Sequence, residues 1–98
     1  MKILVLGESC SDVFEYGVCV RLCPEAPVPV FNPTHTTQNP GMAKNVQQNL
    51  IALGASAVLH TNRNWRSITK TRFIDYRTNH MFMRLDKSDK NYGRCKLD

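Results

Sequence analysis

The sequence predicts an α/β body of two or three strands and one main helix, set beside a four-stranded, mostly antiparallel β-sheet. Three observations carry this expectation. Lys2–Gly7 is an unbroken apolar run stopped by glycine, the pattern of a strand covered on both faces. Gly41–Leu53 places Val46, Leu50 and Leu53 at i, i+4 and i+7, with Ala43 one turn earlier, which is one face of a helix. Ile68–Tyr76 and His80–Leu85 alternate around Arg77-Thr78-Asn79 as the two arms of a hairpin.

The elements follow in order. After Lys2–Gly7, the run Val13–Leu22 interleaves Val, Phe, Tyr and Leu with Glu, Gly and Arg, and reads as a second strand. Cys23-Pro24-Glu25-Ala26-Pro27 breaks it. Val28–Phe31 is extended, and Pro29 confines it to an edge or to one-sided pairing. Asn32–Pro40, with two prolines and three threonines, reads as a polar loop. The helix follows, with Gly54 as its C-terminal stop. Ala55–Thr61 is a core strand around Ala57-Val58-Leu59, and Asn62–Arg66 is a short connector. In the hairpin, Lys70, Arg72, Ile74 and Tyr76 share one face of the first arm, opposite Thr71, Phe73 and Asp75. The expected division is a single domain: an α/β body from 1–12 and 39–61, a β-layer from 13–38 and 67–86, and a polar tail from 87–98.

The bulk properties narrow the function classes. Ninety-eight residues with 42% apolar and 21% charged content suit one small domain with a modest core. No apolar run approaches the ~20 residues of a membrane helix. Met1–Gly7 is too short for a signal peptide, so a cytoplasmic location is expected. Cys10, Cys19, Cys23 and Cys95 are then read as thiols. His35, His60 and His80 show no paired spacing, so no metal site is expected. Residues 1–61 hold three Lys/Arg against four Asp/Glu, for −1, and residues 62–98 hold ten against four, for +6. A basic half attracts phosphate on a sugar, a nucleotide or a nucleic acid.

Two mouths suggest a small-molecule site. Asn39-Pro40-Gly41-Met42-Ala43-Lys44-Asn45-Val46 is a Pro-Gly turn opening into the helix, and Gly7-Glu8-Ser9-Cys10-Ser11-Asp12 follows the first strand. Each offers a small-residue approach and one committed polar side chain, Asn45 and Asp12 respectively.

These motifs add up to a resemblance. Gly7–Gly17, Pro24-Glu25-Ala26-Pro27-Val28-Pro29-Val30, Asn39–Val46 with Asn49-Leu50 and Ala52-Leu53-Gly54-Ala55, Thr69-Lys70-Thr71-Arg72 and Arg84-Leu85-Asp86 together resemble the ribokinase/PfkB carbohydrate kinases. The similarity is strongest to the heptose-7-phosphate kinase domain of ADP-heptose synthesis and covers roughly residues 1–86. The resemblance implies a ribokinase-like body whose β-layer is a lid over the sugar. It implies that Asp12 binds sugar hydroxyls, that Gly41 and Asn45 meet the sugar at the helix mouth, and that Lys70 and Arg72 contact the sugar phosphate.

The sequence also departs from the family pattern. Met42 stands where the motif has a second glycine, and Lys44 where a small residue is usual. The family's cofactors are ATP and Mg, but its glycine-rich turn, general-base Asp and anion hole find no counterpart in this sequence. The expectation is therefore a truncated, sugar-binding kinase homologue with no cofactor and no catalytic residue of its own. The alternative is an interaction module acting through its lid strands, as a homodimer or on a full-length sugar kinase. Nucleic-acid binding by Phe73, Tyr76 and Phe82 among Lys70, Arg72, Arg77 and Arg84 ranks below both, since no nucleic-acid motif accompanies them.

Overall fold

A computed structural model describes residues 2–88 and residue 90. It is an α/β fold with six strands and one helix in two sheets. The expected polar tail falls largely outside the described residues.

Strand β1 (Lys2–Leu6) pairs in parallel with β4 (Ser56–His60), from Lys2 opposite Ser56 to Leu6 opposite His60. Helix α1 (Ala43–Ala52) packs against both strands. Ile3, Val5, Ala57 and Leu59 are half-buried, whereas Leu4 and Leu6 remain 58% and 55% exposed. The expectation that the first strand is covered on both faces is thus corrected: among the described residues, one side of this pair has no layer above it.

The helix lies where its periodicity put it, and Gly54, at φ +91°, ends it in the left-handed region that favours glycine. Its packed face is only partly the expected one. Ala43, Lys44, Gln47 and Leu50 are half-buried, while Val46 and Leu53 point outward, Leu53 at 83% exposure. Gln47 donates from Nε2 to the Ala57 carbonyl, so a polar residue docks the helix on β4.

The second sheet has the order β3-β2-β5-β6. Strand β2 (Ser9–Val18) pairs antiparallel with β3 (Asn32–Met42) and parallel with β5 (Thr69–Asp75); β5 pairs antiparallel with β6 (His80–Lys87). Two of the three pairings are antiparallel, as expected, and Asn79 turns the hairpin at φ 59°. The identity of one strand is corrected. Val28–Phe31 contributes only an isolated bridge between Leu22 and Pro29, and the segment expected as a polar loop, Asn32–Pro40, is strand β3. Being at the edge, β3 tolerates Pro33 and Pro40, whose missing N–H groups leave no interior ladder broken. Its Thr side chains and cross-strand contacts hold it. Thr36 donates to the Glu15 carboxylate, and His35 stacks on Tyr16 with centroids 4.6 Å apart.

The two sheets are joined by a buried polar knot. The Ser9 amide donates to Asn62 Oδ1 at 2.7 Å, the Thr61 hydroxyl donates to Ser9 Oγ at 2.7 Å, and Asn62 Nδ2 donates to Asn64 Oδ1. Ser9 Oγ also accepts the Lys44 amide at 2.9 Å, capping α1 from another strand because the cap residue Met42 supplies no side-chain acceptor. Ser9, Asn62, Cys10 and Ile68 are fully buried.

Candidate functional site

Side chains alternate across a strand, so β2 directs Cys10, Asp12, Phe14 and Tyr16 to one face. Asp12 is opposite Lys70 on β5, Phe14 is opposite Arg72, and Cys10 is opposite Gly41 on β3. Four of the five expected site residues, Asp12, Gly41, Lys70 and Arg72, therefore share one face of the four-stranded sheet. Asp86 and Arg84 of β6 continue that face beyond Lys70 and Arg72, and they pair with each other at 2.8 Å.

Asp12 is the centre of the group. Its Oδ1 accepts from Arg72 Nη1 at 3.2 Å, with both side chains about a quarter exposed. The Arg72 guanidinium also lies over the Phe14 ring, 5.3 Å from its centroid. The ring and the carboxylate together hold the guanidinium on this sheet face. Cys10 Sγ sits 3.7 Å from Asp12 Oδ1 as a thiol donor. Burial pushes the Cys10 thiol pKa up, and the Asp12 charge adds to that rise. Lys70 and Arg72 act in the opposite direction, which places all three charges within electrostatic reach of one buried sulfur.

Gly41 is required by space. A Cβ on it would lie 2.6 Å from Asp12 Oδ2 and 2.8 Å from both Asp12 Cγ and Cys10 Sγ. The bare backbone of β3 and the carboxylate thus press together. Asn45 is placed differently: it is exposed on the first turn of α1, and no hydrogen bond joins it to Asp12 among the described residues. Lys44, beside it, spends its ammonium on Gln47 Oε1 at 3.1 Å.

Met42 marks the mouth most clearly. It lies at φ 60° and ψ −129°, a region that a glycine enters freely and an L side chain enters under strain. An L residue thus stands at the helix mouth in a backbone conformation that suits glycine.

Sequence reasoning missed Cys10, Ser9 and Asn62. Starting β2 at Val13 instead of Ser9 hid the alternation that sets Cys10 beside Asp12. Nothing local signals the Ser9–Asn62 contact, which spans 53 residues.

The face offers a carboxylate, a guanidinium and an ammonium, which can hydrogen-bond hydroxyls and pair with a phosphate. Asp12 is its central carboxylate and is tied to Arg72. Among the described residues no group of three His, Cys, Asp or Glu side chains gathers. No helix among them is long and apolar enough to cross a membrane.

No protein-family model matches the chain. Its sequence is 46% identical over 58 residues to the bifunctional protein HldE of Koribacter versatilis, a match covering 59% of this chain and 12% of that protein. It is 51% identical over 57 residues to the HldE of Caulobacter vibrioides, covering 58% and 12%. The match thus spans about an eighth of the length of these curated relatives. A carbohydrate kinase from Agrobacterium tumefaciens has a similar fold, with a TM-score of 0.50 at 16% identity, over 90% of this chain and 36% of that one. The chain is thus similar in sequence to a segment of the HldE proteins and alike in fold to a solved carbohydrate kinase.

Proposed function

We propose that the Asp12 face binds a sugar phosphate, in the first instance a heptose phosphate, and that this chain alone holds the ligand without transferring a phosphoryl group. The observation that carries the reading is the convergence of Asp12, Gly41, Lys70 and Arg72 on one sheet face, from segments up to 60 residues apart. Sugar hydroxyls donate to Asp12 Oδ2, and Lys70 with the free edge of Arg72 takes the phosphate. Asp12 serves here as a hydrogen-bond acceptor, with Oδ1 held by Arg72 and Oδ2 left for the ligand.

Isothermal titration with heptose 7-phosphate and hexose 6-phosphates tests this. Binding that falls at least tenfold in both Asp12→Ala and Arg72→Gln supports it, as loss of charge-assisted hydrogen bonds requires. No heat with any sugar phosphate refutes it.

A second reading is favoured by a separate observation. Strand β6 is an edge strand of eight residues whose Met81, Met83 and Leu85 are 50%, 55% and 52% exposed. The accessible surface, 6796 Å², exceeds the roughly 5,700 Å² expected for a compact monomer of this mass. The radius of gyration, 17.0 Å, exceeds the expected value of about 13 Å. We infer that β6 pairs with the β6 edge of a second copy of this chain. Light scattering on the wild type and on Met83→Lys/Leu85→Lys checks this: a dimer that becomes monomeric supports it, and a wild-type monomer at micromolar concentration refutes it.

A further inference from the structure

The connector between the two sheets carries a feature that the Asp12 face does not use. Trp65 and Arg66 stand on a 3-10 turn (Trp65–Ser67) against the opposite side of the four-stranded sheet. They line a cleft of about 290 Å³ with Ser11, Gln38, Asn39, Pro40 and Thr69. Ser11 and Thr69 are register partners, and they alternate with Asp12 and Lys70 along their strands, so this cleft opens on the other face from the sugar-phosphate site.

We propose that this cleft is a second ligand site, for a small phosphorylated ring compound that packs its ring on the Trp65 indole and gives its phosphate to Arg66. Four observations carry it. The Arg66 guanidinium lies 4.5 Å from the indole centroid, a cation–π contact that holds the cation beside the ring at the cleft wall. No ion pair holds Arg66 among the described residues, and no carboxylate lines the cleft. The rest of the wall combines the polar groups of Ser11, Gln38, Asn39 and Thr69, which suit ring hydroxyls, with the Pro40 ring. Trp65 also walls a neighbouring cleft of about 360 Å³ that contains Arg63, so the indole stands between two basic hollows.

The turn is preformed. The Ile68 amide donates to the Trp65 carbonyl, Ser67 bonds the Asn64 carbonyl through both its amide and its hydroxyl, and the Ser11 amide donates to the Ile68 carbonyl at 2.8 Å. Ile68, the next residue, is fully buried and anchors the turn. A platform braced in this way loses little entropy on binding. The volume sits near the small end of ligand sites, which limits the occupant to the size of a sugar monophosphate or a nucleoside monophosphate.

Trp65 is the one tryptophan of the chain, so its fluorescence reports on the two hollows it walls, and Arg66→Gln tells them apart because Arg66 lines only this cleft. The full chain is titrated with glucose 6-phosphate and with adenosine 5′-monophosphate, which separate the two sources of a phosphorylated ring. Glucose, adenosine and inorganic phosphate serve as controls, and calorimetry runs in parallel. The proposal expects a saturable change with at least one phosphorylated ring compound, weaker by tenfold or more for its unphosphorylated form and for inorganic phosphate. It expects Arg66→Gln, at an exposed position, to weaken that binding at least tenfold, and Asp12→Asn to leave it within twofold. Absence of any saturable signal by fluorescence and calorimetry overturns the proposal, as does binding by Arg66→Gln within a few-fold of wild type. Loss of the signal in Asp12→Asn overturns it too, by assigning the binding to the other face. Because the two faces use different residues, the sugar-phosphate reading and this one stand or fall separately.

Discussion

Replacing Met42 by glycine and by alanine should invert the usual order of those two residues. At an ordinary strand or helix position, alanine is more stable than glycine by about 0.5–1 kcal/mol, because glycine loses more backbone freedom on folding. Met42 lies at φ 60° and ψ −129°, where any Cβ is strained by roughly 1–3 kcal/mol. Both substitutions remove the same side chain, which is 42% exposed, so its lost burial cancels between them. What remains is the strain that alanine keeps and glycine sheds, less the entropy cost of glycine. Met42→Gly should therefore be more stable than Met42→Ala by about 1 kcal/mol, or roughly 4–8 °C in Tm for a domain of this size. Urea denaturation of the two variants, followed by far-UV circular dichroism, measures the difference. An alanine variant as stable as the glycine variant, or more so, would refute the reasoning and remove Met42 from the strained region.

Three further outcomes are expected. Gly41→Ala drives a Cβ to within 2.6 Å of Asp12 Oδ2, so it should cost about 1–3 kcal/mol by chemical denaturation and displace Asp12 from Arg72. Asn62→Ala leaves the buried Ser9 amide without its acceptor and should destabilise by about 1–3 kcal/mol, whereas Asn39→Ala on the exposed edge strand should stay within about 0.5 kcal/mol. Arg77 holds the Asp75 carboxyl below its ordinary value of 3.8, first through its side-chain hydrogen bond and then through its backbone N–H. A carboxylate depressed in the folded state stabilises above its unfolded pKa, and that contribution disappears as pH falls through the folded value. The stability gap between wild type and Arg77→Ala should accordingly be open at pH 5–7 and close below about pH 4; a gap that persists unchanged at pH 2 would contradict it.

Some elements were plain in the chain itself. The unbroken run before Gly7, the 3.6-residue period ending at Gly54 and the alternation on either side of Arg77-Thr78-Asn79 each depend on local pattern, and β1, α1 and the β5–β6 hairpin lie where those patterns put them. Strand β3 was not legible, because its stability comes from pairing with β2 along an edge and not from its own composition. The outward turn of Val46 and Leu53 was not legible either: which helical stripe is buried depends on what lies beside it, and Gln47 reaches a carbonyl there.

The site divides in the same way. Which residue types it contains, a carboxylate at Asp12, cations at Lys70 and Arg72 and a glycine at Gly41, was set by the sequence and carried by short motifs that need no partner to be read. That Asp12 meets Arg72, that Gly41 presses on the carboxylate, that Ser9 caps a helix 35 residues away and that Trp65 faces the other side of the sheet was decided by the tertiary structure alone. The physical reason is that pairing register and sheet order are long-range quantities. They are chosen by the sum of many cross-strand contacts, and no single stretch of the chain carries that sum.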